Sequence, residues 1–117
     1  MRDVYCHGDA VVSTSLYETL PGTLVEGQVY GCVPVSFGRG GQRDIVDHLS
    51  TGYIAEWDDD IARAAGNIAA GLVAARRMAG EETRCRMYQS ATDRFSAPVI
   101  ARKYIDLFER LLRKSKK

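Results

Sequence analysis

Residues 10 to 37 read AVVSTSLYETLPGTLVEGQVYGCVPVSF. The β-branched run that follows Asp9 predicts a short buried strand. A loop, Tyr17 to Gly22, carries Pro21. A short helix is expected from about Thr23 to Tyr30, with Gly31 placed to stop it. VPVSF, Val33 to Phe37, is a second apolar strand. Strand, helix and strand in this order predict a parallel pair joined by a crossover helix.

The alternation continues outward. GRGGQ, Gly38 to Gln42, is a glycine-rich turn, RDIVDHL a helical turn or two, and GYIAEW, Gly52 to Trp57, a third strand or extended segment. The remainder is helical. In DDDIARAAGNIAAGLVAARRMAG, Ile61, Ala65, Ile68 and Leu72 recur at helical spacing, and Gly80 fits a stop. A further helix is expected over Glu81 to Thr92. A last one begins near Ser96, whose hydroxyl can cap it, with Pro98 near its first turn. That helix carries Ile100, Tyr104, Leu107, Phe108 and Leu111 on one face. MRDVYCHG, ahead of the first strand, has no helix-start signal. The expected class is α/β: a partial, Rossmann-like doubly wound domain with about three parallel strands, flanking helices and a long C-terminal helical region. A sheet this small leaves the AVVST strand with an open edge. Such edges pair with other chains, so a dimer through it is expected; a strictly monomeric species in solution argues against that.

The chain has 117 residues, enough for one domain or part of one. Its net charge of +1 gives no electrostatic footprint for nucleic acid as a whole. Cations do gather at the end: RLLRKSKK, from Arg110 onward, holds five and no acid. That tail suits an anionic membrane surface or, equally simply, a solvated helix end that complements the helix dipole. Cys6, Cys32 and Cys85 cannot all pair and lack metal-ligand spacing, so they read as reduced thiols of a cytoplasmic protein. The longest apolar stretch, Ile68 to Ala75, falls far short of a membrane span, and MRDVYCHGDA has no signal-peptide core.

Glu18 and Glu26 flank Pro-Gly-Thr, and two readings stand. Thr23-Leu24-Val25-Glu26 matches a capping box, as Ser15-Leu16-Tyr17-Glu18 does more weakly. Alternatively, the helix N-terminus is an anion site. Gly22 lets a phosphate approach the backbone, and the loop follows the carboxyl end of a strand, where α/β folds bind ligands. Two carboxylates, being acceptors only, suit sugar hydroxyls. A phosphate flanked by two sugars is a sugar nucleotide.

Elsewhere, Arg39 and Arg43 in the glycine-rich turn could meet phosphate, but the G-x-G-x-x-G spacing fails and a plain turn is the better reading. His7 and His48 stand alone. Asp58-Asp59-Asp60 reads as a helix cap rather than a metal site. A flavodoxin-like binding or regulatory module, with both glutamates only as caps, is the alternative function. It fails to show a receiver's acidic cluster at strand ends.

E-x7-E from Glu18 to Glu26, then Gly31-Cys32-Val33-Pro34-Val35, Gly40-Gly41 and Thr51-Gly52-Tyr53 resemble the C-terminal domain of a retaining glycosyltransferase of family four, with two-domain GT-B architecture. The glycine-to-proline element is one residue longer than the family's G-x-P-V. The resemblance spans Asp3 to about Glu56 and, more weakly, the closing helix. It implies that residues 1–117 are a single partial domain, the second half of the nucleotide-sugar-binding domain. Glu18, the residue it places in the catalytic site, contacts hydroxyls of the donor sugar, and Glu26 binds the ribose. Backbone amides near Gly22, Thr23 and Leu24 bind the diphosphate. Pro21 departs from the glycine common in relatives and removes one donor. The resemblance further implies a UDP-, GDP- or ADP-sugar donor, a glycan or lipid-linked acceptor held by an upstream domain, no metal and no cofactor. The expected setting is bacterial polysaccharide synthesis in the cytoplasm, peripheral at the inner face of the membrane. Because the basic phosphate-binding pair of the family lies upstream of Met1, the chain alone is expected to be inactive.

Overall fold

The computed structural model describes residues 1–115. Three parallel strands, β1 (Ala10–Ser13), β2 (Val33–Phe37) and β3 (Tyr53–Ala55), form one sheet in sequential order. Short helix α1 (Arg2–His7) precedes β1; α2 (Gly22–Val29) and the brief α3 (Gln42–Ile45) connect the strands; α4 (Ile61–Met78), α5 (Glu81–Phe95) and α6 (Ala97–Ser115) follow. The α/β class and the parallel sheet agree with the sequence pattern. α1 does not: its first turn is closed by Val4 and Tyr5 donating to the Met1 carbonyl, which no side-chain signal announces.

β2 is buried along its whole length, as a central parallel strand covered on both faces must be. Its side chains alternate between two layers. Val33, Val35 and Phe37, with Ala55 of β3, pack on Ala64, Ile68 and Ala75 of α4. On the other face Leu24 of α2 packs with Ile45, Val46 and Ile54, joined by Val11 and Phe95. α4 therefore meets the sheet through Ala64, Ile68, Gly71 and Ala75, so of the Ile61, Ala65, Ile68 and Leu72 stripe only Ile68 is on the contact face. Ile61 is 69% exposed. The small residues win because the helix lies close: a Cβ on Gly71 would come within 2.8 Å of Val35.

Pro34 in a central strand removes a ladder donor. Val33 donates to the Asp9 carbonyl on the β1 side, so Pro34, one residue on, faces the β3 side. There β3 pairs only from Val35 onward, and no ladder bond is lost. β1 pairs with β2 from Ala10↔Val33 to Ser13↔Ser36 and forms one edge of the sheet.

α2 ends in a Schellman motif. Gly31, at φ +85°, donates to the Gln28 carbonyl and Cys32 donates to that of Gly27, both at 2.9 Å. Two arginines of α5 tie distant segments together. Arg84 donates to the carbonyls of Tyr30 and Gly8, and Arg94 to those of Ile45 and Asp44. Asp60 caps α4 by accepting from Ala62 and Arg63, so the aspartate run is a cap as read. Ser96 is the C-terminal cap residue of α5, and its carbonyl accepts from Ile100 in the first turn of α6. The apolar residues of α6 share one face, but no residue of the helix is buried. Lys116 and Lys117, the end of the basic tail, lie outside the described residues.

Candidate functional site

The loops that follow β1 and β2 meet at the carboxyl end of the sheet. The β1 loop, residues 14–21, is clamped onto the glycine turn of residues 38–41. Gly41 donates to the Glu18 carbonyl at 2.7 Å, Glu18 and Gly40 form a parallel bridge, and the Gln42 amide donates to the Ser15 carbonyl at 3.1 Å. The Arg39 guanidinium lies 4.9 Å above the Tyr17 ring, and Arg43 donates to the Gly38 carbonyl at 2.7 Å. The turn is thus a structural clasp: Gly40 takes φ +107°, and Arg43 is spent inside it. Its product is a fixed position for Glu18, which is half-buried between the two loops.

The clasp delivers the chain into α2. Pro21, not Thr23, is the N-terminal cap residue, and no side chain caps the helix. Thr23 is the second residue of the helix, two positions past the cap and too late to be the hydroxyl of a capping box. Glu26 accordingly does not close such a box, and the capping reading of this pair is corrected. The Leu24 amide donates to the Pro21 carbonyl at 3.0 Å, so of the three expected backbone donors it is already used. Its side chain is fully buried. Gly22 and Thr23 stand in the first turn, where helix geometry supplies no intrahelical acceptor for their amides, and both are exposed. With the helix dipole behind them, these two amides have the arrangement that suits negative charge.

Glu26 is exposed on the outer face of α2, one turn beyond Gly22 and on the same side. Both line an open groove of 590 Å³ between α2 and α6, with Leu20, Val25, Phe95 and Tyr104 as its apolar wall and Lys103 opposite. Tyr5 of α1 stacks on Tyr30, the C-terminal cap residue of α2, with ring centroids 5.8 Å apart. Burial pushes the Tyr5 phenol up, and the neighbouring Glu26 carboxylate adds to the shift. Burial also raises the Cys32 thiol, opposed by Arg84; this thiol donates to the Tyr5 carbonyl at 3.2 Å and holds α1 against the sheet.

Glu18 thus lies in the clasp, Gly22 and Thr23 open the helix, and Glu26 follows one turn on. Leu24 belongs to the core. Sequence reasoning missed Gln42 and Gln28. Gln28, fully buried, donates to the Thr51 carbonyl at 3.0 Å and fixes α2 to the turn before β3. Nothing in local sequence marks a glutamine for that role. His48 is also more than a loop residue, since its Nδ1 accepts from the Ile54 amide at 3.0 Å at the start of β3.

A comparison with protein-family models matches residues 1–92 to the family described as Glycosyl transferases group 1. No curated protein and no solved structure matches the chain.

Proposed function

The chain belongs to the glycosyl transferases group 1 family, and we propose that it supplies the donor-binding side of a retaining glycosyltransferase of the family-four type. Membership supports glycosyl transfer in general, with a nucleotide-sugar donor and an acceptor as partners. In this reading the amides of Gly22 and Thr23 bind the diphosphate. Glu26 accepts from the ribose hydroxyls, and Glu18 from the hydroxyls of the sugar to be transferred. When the bond from the anomeric carbon to the diphosphate breaks, negative charge grows on the phosphate oxygens. Donors fixed in advance at a helix N-terminus stabilise that charge without reorganising.

One observation carries the reading: Gly22 and Glu26 share an exposed face and line one groove, while neither Thr23 nor Glu26 is engaged in capping. The site is open to solvent on the side away from the sheet. We therefore assign this chain one wall of the site, part of a nucleotide-sugar-binding domain, with the remaining phosphate contacts supplied by the rest of that domain and the acceptor by a facing one. Transfer by the chain alone is expected to be absent. Sugar transfer by the purified chain contradicts this assignment.

Glu26 is exposed, so Glu26→Ala should leave the fold intact. Losing charge-assisted bonds worth about 1.5–3 kcal/mol weakens donor affinity roughly tenfold to a hundredfold. Calorimetric titration of UDP-, GDP- and ADP-sugars into wild type and variant measures this and identifies the nucleotide. Equal affinities in both, with a lower melting temperature for the variant, assign Glu26 a structural role and end the ribose assignment.

A further inference from the structure

Tyr17 and Arg39 form a pair at the carboxyl end of the sheet that the donor assignment leaves unused. The β1 loop and the glycine turn run side by side in parallel register. Glu18 stands opposite Gly40, Gly41 follows against Glu18 and Thr19, and Tyr17 lies beside Arg39 one step earlier. These steps lead toward Gly22 and the start of α2, with Arg39 at the far end. The Tyr17 ring is 68% exposed although the guanidinium covers one of its faces. Arg39 itself is half-buried, so the turn and the ring hold its charge in place.

Glu18 and Arg39 are neighbours across the bridge and opposite in sign. Among the described residues neither of them is in an ion pair. Arg43, in the same turn, is used on the Gly38 carbonyl, whereas the Arg39 guanidinium meets the Tyr17 ring.

We propose that Arg39, braced by Tyr17, takes the carboxylate of an acidic sugar, so that the donor carries a uronic acid. The proposal rests on the donor assignment above and names the sugar class for it. A guanidinium grips a carboxylate through two parallel N–H donors, a match that a hydroxyl does not offer. Position selects the sugar over the diphosphate. The diphosphate is assigned to Gly22 and Thr23, beyond the Gly41 end of the register, and Arg39 stands at the opposite end. Position also selects the transferred sugar over the acceptor. Adjacent residues of an extended chain are about 3.3 Å apart, so a sugar whose hydroxyls meet Glu18 is within reach of the longer arginine. Glu18 then takes the hydroxyls and Arg39 the acid of one ring, and the guanidinium offsets the repulsion between the two carboxylates.

The test is calorimetric titration of the purified chain with UDP, GDP and two pairs of probes: UDP-glucose against UDP-glucuronate, and GDP-mannose against GDP-mannuronate. In the pair whose nucleotide binds, the acid is expected to bind at least about tenfold tighter, the low end for hydrogen bonds to charged groups. The preference should shrink as salt rises. Arg39→Gln should abolish it, lowering the affinity of the acid to that of the neutral sugar. Arg39→Lys keeps the charge without the fork and should retain part of the preference. Equal affinities for acid and neutral sugar in wild type overturn the proposal and leave the donor assignment standing, as does a preference that survives Arg39→Gln. If Arg39→Gln weakens UDP or GDP alone, the guanidinium belongs to the diphosphate. If it weakens both sugars equally and lowers the melting temperature, Arg39 is a brace of the clasp. Either result overturns the proposal. A chain that binds none of the nucleotides or sugars removes the donor assignment and this proposal with it.

Discussion

Gly41→Ala is expected to destabilise the protein by about 3 kcal/mol, the upper range for overpacking, read as a lowered urea midpoint. An added Cβ would fall on the Thr19 carbonyl, with the Glu18 carbonyl 3.2 Å away. Both obstacles are backbone, so no flexible side chain can move aside. Relief requires the two loops to part, and parting breaks the bond from Gly41 to the Glu18 carbonyl and frees the Glu18 loop. The variant should therefore lose donor affinity together with stability. Gly66→Ala is the control. It lies in α4 with open space where its Cβ would go, so the better helix former should stabilise by about 1 kcal/mol. A Gly41→Ala midpoint within error of wild type would mean that the clasp is not closed in solution.

The second large effect is at Leu24. Its side chain is completely buried among Ile45, Val46 and Ile54. Truncation to alanine should cost about 2–5 kcal/mol, the transfer term plus the cavity left behind. Typical domains have only about 5–15 kcal/mol of total stability, so the variant sits near unfolding at room temperature. Leu24→Met, close in volume, should cost less than about 1.5 kcal/mol. Thermal unfolding by circular dichroism separates the two. The pair also tests the division of labour in α2. If Leu24 serves only the core, Leu24→Met binds donor like wild type. A loss of donor affinity in that folded variant would return Leu24 to the binding site.

The strands and their order were legible because each carries a local signal. VPVSF is a continuous apolar run, and it is β2 to the residue. Gly31 marks the end of α2 because the Schellman turn demands a left-handed residue there. The contact face of α4 was legible only at Ile68. Periodicity selected the large residues Ile61 and Leu72, whereas close approach to the sheet selects Ala64, Gly71 and Ala75, and only the distance between the two elements decides that. The capping box failed for a related reason. Four residues fit the pattern, but the helix begins one residue before Thr23, and a hydroxyl already inside the helix cannot cap it. The clasp around Glu18 was hidden because its partners come from separate loops. Gln42 and Ser15 lie 27 positions apart, and no local pattern links them. The start of α2 was legible, because glycine, proline and the strand-to-helix order each announce a helix N-terminus beside a strand end.

Amide chemical shifts of the ¹⁵N-labelled chain, followed while UDP, GDP and ADP are titrated in turn, bear most directly on the claim that α2 opens onto the donor diphosphate. One of the three nucleotides is expected to shift Gly22 and Thr23 most, with Glu26 following and Leu24 moving less because its amide is already bonded to Pro21. Saturable shifts centred on another part of the chain, with Gly22 and Thr23 unmoved, would contradict it.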